Sequence, residues 1–227
     1  MSRSFLVVAV TLLALEAQAG TRPRYGGELR VVAPAEPSSL DPGQLVSPAD
    51  VVAARLLFGS PLTLGADGAL SAELVEVPEV EASGRQFRLR LRPGRFHDGA
   101  PVTAQDLAAS LARLLDPGVA SPFLAAALPL AGAESGPARG LQAMGEAELQ
   151  VTLAFPYPDW PRALAHPALA PLPAGRPAAR PVGAGAFRLG PQAKGEALRL
   201  QAFPDCAAGR PFVDALRLSP ADPRAAA

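Results

Sequence analysis

Residues 88–117, RLRLRPGRFHDGAPVTAQDLAASLARLLDP, carry the reading that decides the fold. Phe87–Leu91 alternates apolar and basic residues, the period of a strand with one buried face. Pro93-Gly94 breaks that strand, and Phe96-His97-Asp98-Gly99 reads as a tight turn. Thr103, followed three residues later by Asp106, has the spacing of a capping box. Leu107, Leu111, Leu114 and Leu115 then recur at helical spacing, so one face of the helix is apolar. Asp116-Pro117-Gly118 ends it. The stretch therefore predicts a strand, a turn and an amphipathic helix.

The same patterns extend in both directions. Toward the amino end, Leu74–Val80 alternates apolar and acidic residues, Ser83-Gly84 turns, and Gln86–Leu91 returns, which predicts a hairpin. Ala49–Phe58 has helical spacing at Val52, Leu56 and Leu57, and Glu28–Ala33 is a short strand. Toward the carboxyl end, Leu141–Met144 and Leu149–Leu153 flank Gly145-Glu146 as a second hairpin, with Leu149, Val151 and Leu153 pointing inward. Phe155, Tyr157 and Trp160 lie among prolines, either as an exposed shelf or as packing in a rigid turn. Pro167–Pro181 is a Pro/Ala-rich loop, and Leu198–Phe203 and Phe212–Leu218 are the last two strands. The fold class is α/β (mixed α+β), a mixed sheet with hairpins and few helices.

Composition excludes several functions. Of 227 residues, 21 are basic and 21 acidic, so there is no net charge and no basic excess for nucleic acid. The 26 prolines and 21 glycines are about a fifth of the chain, which favours a loop-rich domain. Cys206 stands alone, so no intrachain disulfide and no multi-thiolate metal site can form, and a buried small hydrophobe is its expected role. Met1–Ala19 has a short basic start at Arg3, an apolar run over Phe5–Leu15 and an A-x-A site at Ala17-Gln18-Ala19. That predicts a signal peptide cleaved after Ala19, too short in its apolar run to span a membrane, and an exported, periplasmic protein.

Within the opening stretch, LRPGRFHDGAPVTAQDL (Leu91–Leu107) resembles the signature of the family 5 extracellular solute-binding proteins, the peptide- and nickel-binding components of ABC importers, whose pattern is close to LRPGVKFHDGTPVTAEDV. Other segments resemble the same family in order: Gly26-Gly27 before Glu28–Ala33, Ser39-Leu40-Asp41-Pro42, Leu57–Leu62 and Pro181–Leu189 (PVGAGAFRL, against PVGTGPFRL). Pro204–Pro211 follows, against NPDYWGGRP. The sequence departs from the pattern at three places. Val75–Pro78 lacks the usual Trp, Ala184 replaces a Thr or Asn, and Cys206 and Ala207 stand where two aromatics are usual.

The resemblance implies a periplasmic-binding-protein-like type II fold, first lobe only. It also implies a sheet core of residues 20–50 and 183–219, an inserted subdomain of residues 51–182 and a disordered tail at 220–227. Positions matching the family's ligand-facing loops are Val46, Ser47 and Pro48, Phe123, and Gly183, Ala184 and Gly185. The implied activity is binding without catalysis of a peptide or similar small solute, with no metal and no cofactor. The implied partners are an ABC transporter permease in the membrane and a second chain supplying the missing lobe. The alternative is an exported interaction module, or a non-functional remnant, of the same fold. An enzyme would have to use His97, Asp98, His166 or Ser110, and neither a G-x-S-x-G nor an H-E-x-x-H motif accompanies them.

Overall fold

The structure, a computed structural model, describes residues 24–133, 139–175, 181–191 and 197–221. The expected signal peptide at Met1–Ala19 lies outside these residues.

The stretch that opens the reading folds as its pattern dictates. Strand β4 (Gln86–Arg90) buries Phe87 and Leu89 and exposes the residues between them. The Phe96–Gly99 turn closes through Gly99 N–H to the Phe96 carbonyl (2.8 Å), with Gly99 at φ 89°, where a side chain would be strained. Helix α2 (Ala104–Arg113) starts with the reciprocal capping box of Thr103 and Asp106 and buries Leu107 and Leu111. Its last turn carries Arg113, whose guanidinium pairs with Asp41 of the SLDP loop (Nη1 to Oδ1, 2.8 Å). Two motifs far apart in sequence are thereby locked together.

Strand β1 (Glu28–Ala33) is followed by a 3-10 turn at Pro42–Gln44 and by helix α1 (Pro48–Phe58). A short hairpin pairs β2 (Leu62–Leu64) with β3 (Leu70–Ala72). After α2 come a single helical turn, α3 (Leu124–Ala127), and the strands β5 (Leu141–Ala143) and β6 (Glu148–Thr152). Two 3-10 turns, Trp160–Ala165 and Pro167–Leu169, precede β7 (Phe187–Leu189), β8 (Leu198–Ala202) and β9 (Ala215–Pro220).

The strands form a four-stranded sheet in the order β1-β9-β8-β7 and a three-stranded sheet in the order β4-β6-β5. Only β1 and β9 run parallel in the larger sheet, in the register Glu28↔Ala215 to Ala33↔Pro220. One apolar cluster joins the two sheets through α1 and α2. It includes Leu57, Phe58, Phe87, Leu107, Leu111, Val151, Trp160, Leu200 and Leu216. Trp160 is buried at 1% exposure against Phe87 and donates its indole N–H to the Ala126 carbonyl (3.0 Å). Of the three aromatics in its segment it alone packs inward, while Phe155 and Tyr157 are exposed.

Three expectations need correction. The hairpin over Leu74–Val80 and Gln86–Leu91 narrows to a bridge at Val75↔Leu91, and β4 takes β6 as its ladder partner. Pro78, which has no N–H to donate, and the exposed Val77 and Val80 explain why no strand continues there. The last strand begins at Ala215 rather than Phe212, because Phe212 lies outside the sheet, stacked on Tyr25. Pro220 and Ala221, expected in a disordered tail, are held by the sheet: Pro220 pairs with Ala33, and Ala221 donates its N–H to the Ala33 carbonyl (2.8 Å). Residues 222–227 lie outside the described residues.

Candidate functional site

The segment Gly183-Ala184-Gly185 is buried on the last turn of α1. A Cβ on Gly183 would stand 2.2 Å from the Leu57 carbonyl oxygen, and one on Gly185 2.4 Å from that of Leu56. Only a residue without a side chain lets the two backbones come this close. Gly185 N–H donates to the Leu57 carbonyl (3.0 Å), fixing the register of the contact.

His97 holds the other side of the segment. Its backbone N–H donates to the Gly183 carbonyl (2.8 Å), its Nδ1 accepts from Gly183 N–H (3.3 Å), and its Nε2 lies 3.1 Å from the Gly185 carbonyl. Accepting at Nδ1 and facing a carbonyl at Nε2, the ring carries its single proton on Nε2. Burial pushes the imidazole pKa down to about 4; the Gly185 contact opposes this and the nearby Arg188 charge adds to it. The HDG turn of the signature is therefore a clamp on the glycine segment.

This clamp gives the protein an acid sensitivity. The unfolded chain takes a proton on His97 as pH falls through 6.5, whereas the folded chain resists until about 4. The neutral ring's contribution is thus complete above pH 6.5 and is lost across that window, a change of up to about 3 kcal/mol. Urea unfolding of wild type and His97→Gln at pH 7 and at pH 4.5 should show the smaller loss in the variant. Equal losses would contradict the clamp.

Val46, Ser47 and Pro48 form the opposite end of α1. Ser47 Oγ accepts from Asp50 N–H (3.1 Å), and the Asp50 carboxylate accepts from the backbone N–H groups of Ser47 (2.8 Å), Val46 (3.0 Å), Ser38 (2.6 Å) and Ser39 (3.3 Å). Burial alone would raise the Asp50 pKa, but these donors outweigh it and hold the group well below the usual carboxylate range. Asp50 thus ties the SSLDP loop to the helix start. Ser47 is occupied as a cap, Pro48 is the first helical residue, and the Val46 side chain is 82% exposed.

Phe123 is half-buried with its ring on His166 (centroids 4.2 Å apart). Beside His166, the Ala165 carbonyl accepts from Arg55 of α1 (3.2 Å), which also donates to Ser60 Oγ (2.7 Å) and pairs with Glu73 (3.1 Å). Burial and the Arg55 charge both hold the His166 pKa down. Burial raises that of Glu73, against the opposing Arg55 charge. Glu73 in turn fills the space beside Gly59, which abuts Gly185. Arg55 thus links the Ala165 carbonyl, next in sequence to His166, with Ser60 and Glu73 beside Gly59.

The structure thus distributes the seven expected contact residues around one helix, at its start, its end and its flank. Along its edge Val52 is exposed and Arg55 and Leu56 are half-buried. Arg55 and Glu73 were not singled out by sequence reasoning. The one local signal was a lone arginine in an otherwise apolar and small-residue run, AARLLF. Two open clefts, of about 590 and 500 Å³, lie elsewhere. The first is lined by His97, Asp98, Val182 and Arg188, the second by Arg92, Arg95, Asp205 and Cys206. None of the seven lines either one.

The residues an enzyme would need are taken up by structure. His97 is engaged at both ring nitrogens, His166 Nδ1 accepts from Ala168 N–H (3.1 Å), and Asp98 Oδ1 accepts from Ala100 N–H (3.0 Å). Ser110 Oγ donates to the Asp106 carbonyl (2.8 Å) and accepts from Leu172 N–H (2.8 Å). Cys206 is buried, and burial raises its thiol pKa, so it is kept as an unreactive thiol. Among the described residues, no three His, Cys, Asp or Glu are grouped so as to hold a metal ion.

The family model described as bacterial extracellular solute-binding proteins, family 5 Middle, matches residues 69–227. The chain is 29% identical over 178 residues to the "Probable deoxycholate-binding periplasmic protein YgiS" of Escherichia coli K12, covering 74% of this chain and 33% of that protein. It is 32% identical over 148 residues to the periplasmic oligopeptide-binding protein OppA of the same organism, covering 61% of this chain and 27% of OppA. Among solved structures, the binding protein AgaA of A. tumefaciens R10, in complex with agropinic acid, superposes with a TM-score of 0.75 at 28% identity, covering 86% of this chain and 40% of AgaA. The chain thus spans about a third of the length of the curated relatives it matches. The likeness shows a type II periplasmic-binding-protein fold, of which the chain forms less than half.

Proposed function

Since the chain belongs to the family 5 bacterial extracellular solute-binding proteins, we propose that it is a solute-binding component, or a shortened relative of one, serving an ABC importer of peptides or similar solutes. It binds without catalysis, in the periplasm, after removal of Met1–Ala19. Its sheet core comprises residues 20–50 and 183–219 around the inserted residues 51–182, an organisation supported by the pairing of β1 with β9. Enclosing the solute requires the family's other lobe, and the permease receives the solute.

The observation that carries this reading is the placement of Val46–Pro48, Phe123 and Gly183–Gly185 at the start, flank and end of α1. The helix has 11 residues and is about 16 Å long. An extended peptide of about five residues has the same length. Closure of a second lobe over that edge would trap it.

The test is a thermal melt of the secreted, processed chain with and without a pool of di- to pentapeptides. A ligand that binds only the folded state raises the midpoint once it exceeds its dissociation constant. Val46→Asp should leave the ligand-free midpoint within about a degree, because the side chain is exposed. It should reduce the ligand-induced shift by at least half. A shift that is unchanged in the variant removes this helix edge from the site. A cooperative melt with no shift at all favours a non-transport interaction module. That second reading has one structural support: Ser47 is occupied as a cap, and the buried Ala184 offers no polar side chain.

A further inference from the structure

The two faces of the four-stranded sheet differ sharply. In the paired register, Leu29, Leu216, Leu200 and Leu189 make one row, and Val31, Leu218 and Leu198 another. Leu216, Leu200 and Leu218 sit in the apolar core with Val31, Leu189 and Leu198 packed against it, while Leu29 on the edge strand is 50% exposed. The alternating rows face the opposite way. One is Glu28, Ala215, Gln201 and Arg188; the next is Arg30, Arg217 and Arg199; then come Val32 and Ser219. Among the described residues this outer face presents four arginines and one glutamate, on a chain whose 21 basic and 21 acidic residues sum to no net charge.

Like charges directly opposite on neighbouring strands cost stability. Arg30, Arg217 and Arg199 nevertheless stand side by side on three adjacent strands. Glu28 relieves part of this, with its carboxylate 3.0 Å from Arg199 Nε and 3.3 Å from Arg217 Nε. Relief is incomplete: Arg217 Nε is shielded from solvent yet makes no well-formed hydrogen bond among the described residues. Arg30 and Arg188 are exposed, and neither has an ion-pair partner among them.

We propose that this outer face docks an acidic helix of a protein partner, whose carboxylates seat on the row Arg30–Arg217–Arg199 and on Arg188. Glu28 already shows the chemistry, one carboxylate bridging two guanidinium groups. Arginine presents planar forks suited to carboxylates. Spacing selects a helix. Neighbouring strands lie about 4.8 Å apart. Helical side chains at i, i+4 and i+7 recur about 5–6 Å apart, whereas same-face residues of an extended strand recur at about 6.6 Å. Val32, 69% exposed in the next row, offers an apolar contact beside the charges.

The experiment measures binding of the full chain to a fluorescein-labelled, alanine-based helical peptide with glutamates at i, i+4, i+7 and i+11. The comparison peptide carries the same glutamates scattered around the helix, and phosphatidylglycerol vesicles form a third arm. The aligned peptide should bind at low salt, weaken at high salt, and exceed the scattered peptide severalfold. Arg30→Glu/Arg188→Glu should lower its affinity by at least about tenfold. Arg30→Lys/Arg188→Lys, which keeps charge but not the forks, should lower it by several-fold. Circular dichroism and the thermal midpoint check that both variants are folded. Equal binding of the two peptides, an unaffected lysine variant, or binding to vesicles alone would overturn the proposal.

Discussion

Asp50→Ala is expected to destabilise the protein by about 4 kcal/mol, measured by urea unfolding at neutral pH. The side chain is fully buried and accepts from four backbone N–H groups and from Ser38 Oγ. Truncation strands the N–H groups of Ser38, Ser39, Val46 and Ser47 at once. A fully buried donor left unpaired costs about 1–3 kcal/mol; Ser38 and Val46 are exposed and Ser39 and Ser47 half-buried, so water takes up part of that cost. Asp50→Asn keeps the shape and part of the acceptor capacity, so it should lose roughly half as much. The pH dependence follows from the lowered pKa: the contribution is complete above the ordinary carboxylate value of about 3.8 and declines as pH falls below it. A cost below about 1 kcal/mol for the alanine variant would mean that the SSLDP loop is held by other contacts.

The second large effect is expected at Gly183. A methyl group there meets the Leu57 carbonyl oxygen at 2.2 Å and the Phe58 Cα at 2.7 Å, and both neighbours are helix backbone rather than a side chain that can rotate away. Relief requires the PVGAG segment to lift off α1, which breaks the Gly185–Leu57 hydrogen bond and the His97 clamp. Gly183→Ala should therefore cost about 3 kcal/mol or more, or leave too little folded protein to measure. Gly94→Ala is the control: its nearest obstacle is the end of the Leu74 side chain at 3.3 Å, so the cost should stay within about 1 kcal/mol. Similar losses in the two variants would remove the special status of the helix contact.

Local patterns carried much of the fold. Leu107, Leu111 and the Thr103–Asp106 pair specified α2 to within a residue or two, since periodicity and capping act over four residues. The same spacing at Ser47–Asp50 was equally available and locates the start of α1. Pairing between distant strands has no such local mark. Nothing in Leu74–Val80 announces that β4 prefers β6, because the choice depends on packing at the far side of the chain. The helix edge joining Val46, Phe123 and Gly185 was invisible for a related reason. Its connecting pair, Arg55 and Glu73, is created by tertiary contact rather than by spacing.

The parallel pairing of β1 with β9 also sets an order of events. A ribosome delivers the amino end first, so Glu28–Ala33 emerges long before Ala215–Pro220, its partner strand among the described residues, exists. Until then β1 is an unmatched strand bearing Leu29, Val31 and Val32. Closing so long a loop is slow relative to forming the β5–β6 hairpin or α2, which need only near neighbours. The β4-β6-β5 half can therefore assemble during synthesis, whereas β1 waits for β9. The interval between those two moments is when the newborn chain most needs a chaperone.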